Sequence, residues 1–66
     1  MGPAKIKRWF DKNGVAVKGV RAIKVAGSPV VIEYEVTTKN GKIGKVAPQA
    51  REFELENLRR IFLKGV

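Results

Sequence analysis

The chain has 66 residues, enough for one domain with a small core. Its 14 lysines and arginines against 6 aspartates and glutamates give a net charge of +8, and it contains neither cysteine nor histidine. This composition excludes disulfide bonds and metal sites built on cysteine or histidine. No apolar run approaches the roughly 18 residues of a membrane span, so we expect a cytoplasmic monomer with no cofactor, no small-molecule substrate and no membrane contact.

Short strands separated by turns are predicted for the first two-thirds of the chain, because β-branched and aromatic residues dominate between the Gly- and Asn-containing breaks. The predicted strands span residues 4–10, 15–20, 21–26, 30–37 and 42–47. Asn13-Gly14 and Asn40-Gly41 each predict a hairpin turn, since type I′ turns require positive φ at both central positions. Gly27-Ser28-Pro29 predicts another break, and Gly19 is expected to kink the chain between the second and third strands.

Alternating apolar positions define the two sides of these strands. The apolar sides contain Ile6 and Phe10, Val15 and Val17, Ile23 and Val25, and the set Val30, Ile32, Tyr34 and Val36, which should form core. Trp9 falls on the opposite side of the first strand, together with Lys5 and Lys7. Two interpretations remain open for Trp9: an aromatic ring that contacts nucleic acid among basic neighbours, or a core residue with Phe10 exposed in its place.

A C-terminal helix is predicted over about residues 49–64, because the apolar period changes to 3.6 after Pro48. Its apolar stripe consists of Leu55, Leu58, Ile61 and Phe62. Gly65 is expected to end the helix. Binding of a partner helix is one role for the stripe, but covering the sheet is favoured. The predicted fold is a mostly β single domain over residues 1–66, a small five-stranded barrel or half-barrel closed by the helix.

Most of the excess basic charge lies in residues 1–47, which indicates a polyanionic partner. The basic side chains assigned to the sheet face are Lys5, Lys7, Arg21, Lys24, Lys42 and Lys45. Bound to phosphates, they would release counterions and so favour binding. The alternative is a lysine-rich surface that keeps the protein soluble and protects edge strands. Glu33 and Glu35 are expected either to face basic residues on a neighbouring strand or to lie off the lysine-bearing face.

Three segments resemble the seven-kilodalton crenarchaeal chromatin proteins, which coat double-stranded DNA from the minor groove. The segments are "VRAIKVAGSPVVIEYE" (20–35), "KNGKIGKVA" (39–47) and "REFELENLRRIF" (51–62). The resemblance implies an SH3-like barrel, and it places Lys24, Ala26, Pro29, Val31, Lys45 and Ala47 at positions where that family contacts DNA. The family has a tryptophan at the position of Lys24 and a base-reading arginine at that of Lys45. For Ala26, Pro29 and Val31, a turn with its hydrophobic flank is the alternative role.

The predicted function is non-enzymatic, largely sequence-independent binding of double-stranded DNA by a chromatin-type protein of the nucleoid. RNA or ribosome binding by the same basic face is one alternative. Another is an SH3-like protein-interaction module for an acidic partner. An enzyme is not expected, because the chain has one aspartate and no histidine or cysteine. In addition, Gly41-Lys42-Ile43-Gly44 lacks the spacing of a phosphate-binding loop.

Overall fold

The computed structural model describes residues 1–64, which form two helices and a three-stranded antiparallel sheet. Helix α1 spans Pro3–Lys12, strand β1 Val17–Lys24, strand β2 Val31–Thr38, strand β3 Ile43–Val46 and helix α2 Glu52–Leu63. The strand order is β1-β2-β3, so β1 and β3 are the edges of an open sheet. The prediction of a small sheet-based fold with a C-terminal helix is confirmed. The described residues form three strands and no closed barrel.

Residues 4–10, predicted as a strand, lie in helix α1. Pro3 occupies the first turn, where its missing N–H leaves no hydrogen bond unmade. Ile6 and Phe10 are both buried. Their spacing of four residues places them on one side of a strand and also on one face of a helix, so this spacing does not distinguish a strand from a helix. The strand prediction is wrong because long unbranched basic side chains, which favour helices, occupy most of the remaining positions.

Asn13-Gly14, predicted as a hairpin turn, ends helix α1 instead. Asn13 is the C-cap residue, and Gly14 has a φ of +86°. The Val15 N–H donates to the Phe10 carbonyl at 2.9 Å and the Gly14 N–H donates to the Asp11 carbonyl at 3.4 Å, which is the Schellman pattern. The hairpin prediction is wrong because the same positive φ serves both a type I′ turn and a helix C-terminus.

Residues 15–26, predicted as two strands, contain the single strand β1. Its pairing with β2 shifts register between Val17 and Gly19. The irregularity expected at Gly19 is therefore confirmed, but it is a bulge within one strand and not a connection between two.

The β2–β3 hairpin is confirmed at the predicted position, and both of its strands agree with prediction to within one residue at each end. The Gly41 N–H donates to the Thr38 carbonyl at 3.0 Å, and the Thr38 N–H donates to the Lys42 carbonyl at 2.9 Å. Gly41 has a φ of +89°. This is a three-residue hairpin loop in which Gly41 supplies the left-handed position. The type I′ turn predicted from Asn40-Gly41 is wrong, because Asn40 does not have a positive φ.

The core lies between one face of the sheet and the two helices, with α1 packed on β1 and α2 on β3. The largest fully buried side chains are Ile6, Phe10, Val17, Val36 and Leu55. The Phe10 and Phe62 rings meet edge to face, with centroids 5.7 Å apart. The helix predicted over 49–64 is observed at Glu52–Leu63. The predicted stop at Gly65 lies outside the described residues.

The core is shorter along the strands than predicted. Tyr34 and Val36 are buried as expected, but Val30 and Ile32 are 62% and 50% exposed. No residue between 24 and 32 is buried, so the core ends before the tip of the β1–β2 hairpin. On α2, Leu55, Leu58 and Phe62 are buried as expected, whereas Ile61 is 65% exposed on the side of the helix toward the β3 edge.

Candidate nucleic-acid interface

The outer face of the sheet, opposite the helices, carries ion pairs between its strands. Arg21 is the register partner of Glu35, and its Nη2 lies 3.3 Å from Glu35 Oε1. Lys45 Nζ lies 3.4 Å from Glu33 Oε2. The prediction that the glutamates face basic residues on neighbouring strands is confirmed. The alternative, that the glutamates lie off the face carrying the lysine arm of the β2–β3 hairpin, is wrong, because Glu35 is also the register partner of Lys45 on β3.

The structure distributes the six basic residues that were assigned to one sheet face over several surfaces. Lys5 and Lys7 lie on α1, and Lys7 Nζ pairs with Asp11 Oδ2 at 2.7 Å. Lys42 Nζ donates to the Phe62 carbonyl near the end of α2 at 2.7 Å. Lys24 is exposed at the far end of β1. Only Arg21 and Lys45 share the outer face of the sheet, where both are paired with acids.

The positions implied by the resemblance fall mainly at the tip of the β1–β2 hairpin. Ala26 and Pro29 are exposed there, and Val31 is half-buried against the core. Gly27 has a φ of +79°, and the Ser28 N–H donates to the Val25 carbonyl at 3.0 Å, which closes the turn. Between residues 24 and 32 the chain has no acidic residue. Ala47 is half-buried just after β3.

Trp9 lies at the boundary between the core and the surface. The interpretation that Trp9 is core with Phe10 exposed in its place is wrong, because Phe10 is fully buried. Contact of Trp9 with nucleic acid stays a prediction. The ring is half-buried, and it meets the Phe10 ring edge to face with centroids 5.1 Å apart. Its Nε1–H points to Glu52 Oε1 on the first turn of α2 at 3.5 Å. One edge of the indole therefore helps to join the helices, and Phe10 is buried beside it.

Sequence reasoning missed an exposed basic face on α1. Lys5, Arg8 and Lys12 are all exposed and follow one another at spacings of three and four residues. These spacings place the three side chains on one side of a helix. Arg8 and Lys12 were not chosen as site residues, because a strand interpretation places Arg8 on the side opposite Lys5 and leaves Lys12 in the turn that follows. The helical spacing itself was the signal that would have identified them.

Many basic side chains make neither an ion pair nor a hydrogen bond within residues 1–64. They are Lys5, Arg8, Lys12, Lys18, Lys24, Lys39, Arg51, Arg60 and Lys64. Four of the six acids, Asp11, Glu33, Glu35 and Glu56, are already paired with Lys or Arg. The excess positive charge is therefore exposed and free to meet a polyanion.

Asp11 is held by two donors at the C-terminal end of α1. Its Oδ2 accepts from Lys7 Nζ and its Oδ1 accepts from the Val17 N–H at 2.9 Å. The hydrogen bond from Lys7, followed by that from Val17, lowers the pKa of Asp11 below its ordinary value. The carboxylate thus joins α1 to the start of β1.

No protein-family model, curated protein or solved structure matches the chain. Neither helix in the described part of the chain is long and apolar enough to cross a membrane. Among residues 1–64, no three acidic side chains come together as a metal site.

Proposed function

We propose that this protein is a non-enzymatic, largely sequence-independent binder of double-stranded DNA that associates with the chromosome. The observation that carries the proposal is the separation of charge. Most of the acids are paired within the fold, while basic side chains on α1, on the β1–β2 hairpin and at both ends of α2 are exposed and have no partner among residues 1–64. Each phosphate that such a side chain neutralises releases condensed counterions, and this release drives binding without reading sequence.

The tip of the β1–β2 hairpin is a candidate groove contact within this proposal. Val25 and Val30 are 54% and 62% exposed there, next to the exposed Pro29 and Lys24. Proteins that bind the minor groove often insert apolar wedges, proline included, between base steps. The order β1, β2, β3, α2 also agrees with the segments that resemble the seven-kilodalton crenarchaeal chromatin proteins, which supports a chromatin role.

Fluorescence anisotropy with a labelled random-sequence DNA duplex tests the proposal, with an RNA duplex measured in parallel. Dissociation constants of about 10⁻⁴–10⁻⁶ M are expected near physiological salt, with a log–log salt slope of about −0.9 per phosphate neutralised. Equal affinity for both duplexes would extend the function to RNA. Absence of binding to either duplex at low salt would reject the proposal.

A second candidate, binding of an acidic protein segment, is favoured by one specific observation. Strand β3 is a sheet edge, and Ile43 on it and Ile61 on α2 are 63% and 65% exposed. An extended segment that pairs with a sheet edge gains main-chain hydrogen bonds and places alternate side chains against such residues. Titration of the protein with a peptide of alternating acidic and apolar residues tests this candidate. If the candidate is right, the amide chemical shifts that change are confined to β3.

A further inference from the structure

The exposed face of α1 is the most concentrated region of free positive charge on one element. Lys5, Arg8 and Lys12 lie within an arc of about 60° and over about 10 Å of helix axis, given 3.6 residues per turn and 1.5 Å per residue. The opposite face of the helix carries the buried Ile6 and Phe10. The three basic side chains therefore point away from the sheet. We refer to Lys5, Arg8 and Lys12 as the α1 stripe.

No carboxylate neutralises the α1 stripe within the described residues. The one acid on the helix is Asp11, and its two oxygens accept from Lys7 Nζ at 2.7 Å and from the Val17 N–H at 2.9 Å. These bonds hold the carboxylate on the side of the helix next to β1. Lys5 and Arg8 form no ion pair or hydrogen bond in the part of the chain that the structure describes.

The outer face of the sheet is a poorer phosphate-binding surface, although it also carries an arginine and a lysine. Arg21 and Lys45 are each within 3.4 Å of a glutamate oxygen. A phosphate arriving there has to displace Glu35 or Glu33, and the displaced carboxylate then repels it. The two surfaces present the same basic residue types, but only the α1 stripe presents them without acids.

The geometry of the α1 stripe fits one phosphate backbone better than a row of base edges. Its side chains form a single line, and each strand of duplex DNA carries one charge per about 3.4 Å of axis. The side-chain amide of Asn13, the residue after Lys12, already donates to the Trp9 carbonyl at 2.7 Å. Within the stripe, only Arg8 has the forked donors that read a guanine edge. Such a surface binds DNA with little dependence on sequence.

We propose that helix α1 docks along one phosphate backbone through Lys5, Arg8 and Lys12, and that the outer face of the sheet is turned away from the duplex. This inference rests on the proposed DNA-binding function. It assigns the contact to a helix, whereas the resemblance to chromatin proteins points to the sheet.

Two charge-matched double variants test the inference. Lys5→Gln/Arg8→Gln removes one lysine and one arginine from the α1 stripe, and Arg21→Gln/Lys45→Gln removes one of each from the outer face. Anisotropy titrations with a random-sequence DNA duplex give the log–log salt slope of each variant and of the wild type. The α1 variant should lose about 1.8 from the magnitude of the slope, which is two phosphate contacts. The outer-face variant should keep the wild-type slope. Circular dichroism melts of both variants check that the fold is intact.

The outcomes separate this inference from the function on which it rests. If the wild type binds and the α1 variant keeps its slope, or if the outer-face variant loses as much slope as the α1 variant, the assignment to α1 is overturned while DNA binding stands. If the wild type does not bind the duplex at low salt, the proposed function itself fails.

Discussion

Arg21 and Glu35 face each other across β1 and β2, with Arg21 Nη2 3.3 Å from Glu35 Oε1. This pair lies on the face that the sequence suggested as a polyanion-binding surface. With the neighbouring pair of Lys45 and Glu33, it matches each of these two basic side chains with an acid. Exposed pairs of this kind contribute only about 0–1 kcal/mol each to stability. Their larger consequence is that the free positive charge of the protein lies elsewhere, above all on α1.

Gly44 allows α2 to lie directly on β3. A methyl group at this position would collide with the Leu58 side chain and would approach the Phe62 ring to 2.9 Å. Gly44→Ala is therefore expected to lower the free energy of unfolding by about 1–3 kcal/mol, as overpacking of a core does. Urea denaturation measures the change.

Gly19→Ala is the matched control for Gly44→Ala, because a methyl group at Gly19 meets no atom within 4 Å and the residue does not have positive φ. It should leave stability unchanged or raise it slightly. Equal losses for the two variants would show that α2 does not rest on Gly44.

Leu58 and Ile61 occupy successive turns of α2 but differ in burial, at 7% and 65% exposure. Leu58→Ala should cost about 2–5 kcal/mol, because it leaves a cavity in the core. Ile61→Ala should cost well under half as much, since the Ile61 side chain is mostly exposed and its removal creates no buried cavity. Thermal melts of the two variants provide the comparison. A Leu58→Ala protein with the wild-type melting temperature would contradict the packing of α2 on the sheet.

Gly14 adopts a φ of +86° where α1 ends. A residue with a Cβ in this left-handed conformation costs roughly 1–2 kcal/mol. Gly14→Ala is therefore expected to destabilise the protein by about that amount, and Gly14→Asn by less, because asparagine tolerates the conformation better. Chemical denaturation of both variants tests this order. The reverse order would argue against the Schellman ending of the helix.

Asp11 should make stability depend on pH in the acidic range. Its pKa is lowered in the folded protein by the hydrogen bond from Lys7 and then by that from Val17. A carboxylate with a lowered folded pKa stabilises the fold fully above its unfolded pKa, and this contribution is lost as pH falls through the folded pKa. Asp11→Asn should therefore melt below the wild type at neutral pH, and the difference should shrink as the pH falls below the unfolded pKa and through the lowered folded pKa. A difference that is constant with pH would contradict the role of the charge.

The sequence predicted the β2–β3 hairpin well because several local signals agreed there. Asn40-Gly41 indicated a turn, and Tyr34 and Val36 alternate with polar residues as in a strand. No local signal in this segment favoured a helix or a loop over a strand. The N-terminal segment failed for the opposite reason. Ile6 and Phe10 fit both periods, and the Asn13-Gly14 signal that seemed to join two strands also ends a helix.

The candidate site was harder to predict than the fold because it depends on which charges are paired. Whether Lys45 is free or meets Glu33 is decided by strand register, which sequence alone leaves open. Whether Arg8 lies beside Lys5 on one surface depends on the N-terminal segment being a helix, and a strand was predicted there. The exposure of Val30 likewise depends on where the helices stop covering the sheet, and this is a tertiary property.

Amide chemical-shift mapping is the most direct test of DNA binding and of its location. Nitrogen-15-labelled protein is titrated at low salt with a short random-sequence DNA duplex. The proposal predicts the largest shifts along α1, including Lys5, Arg8 and Lys12, and small shifts at Glu33 and Glu35 on the outer face. The absence of amide shifts throughout the titration would contradict the proposed function.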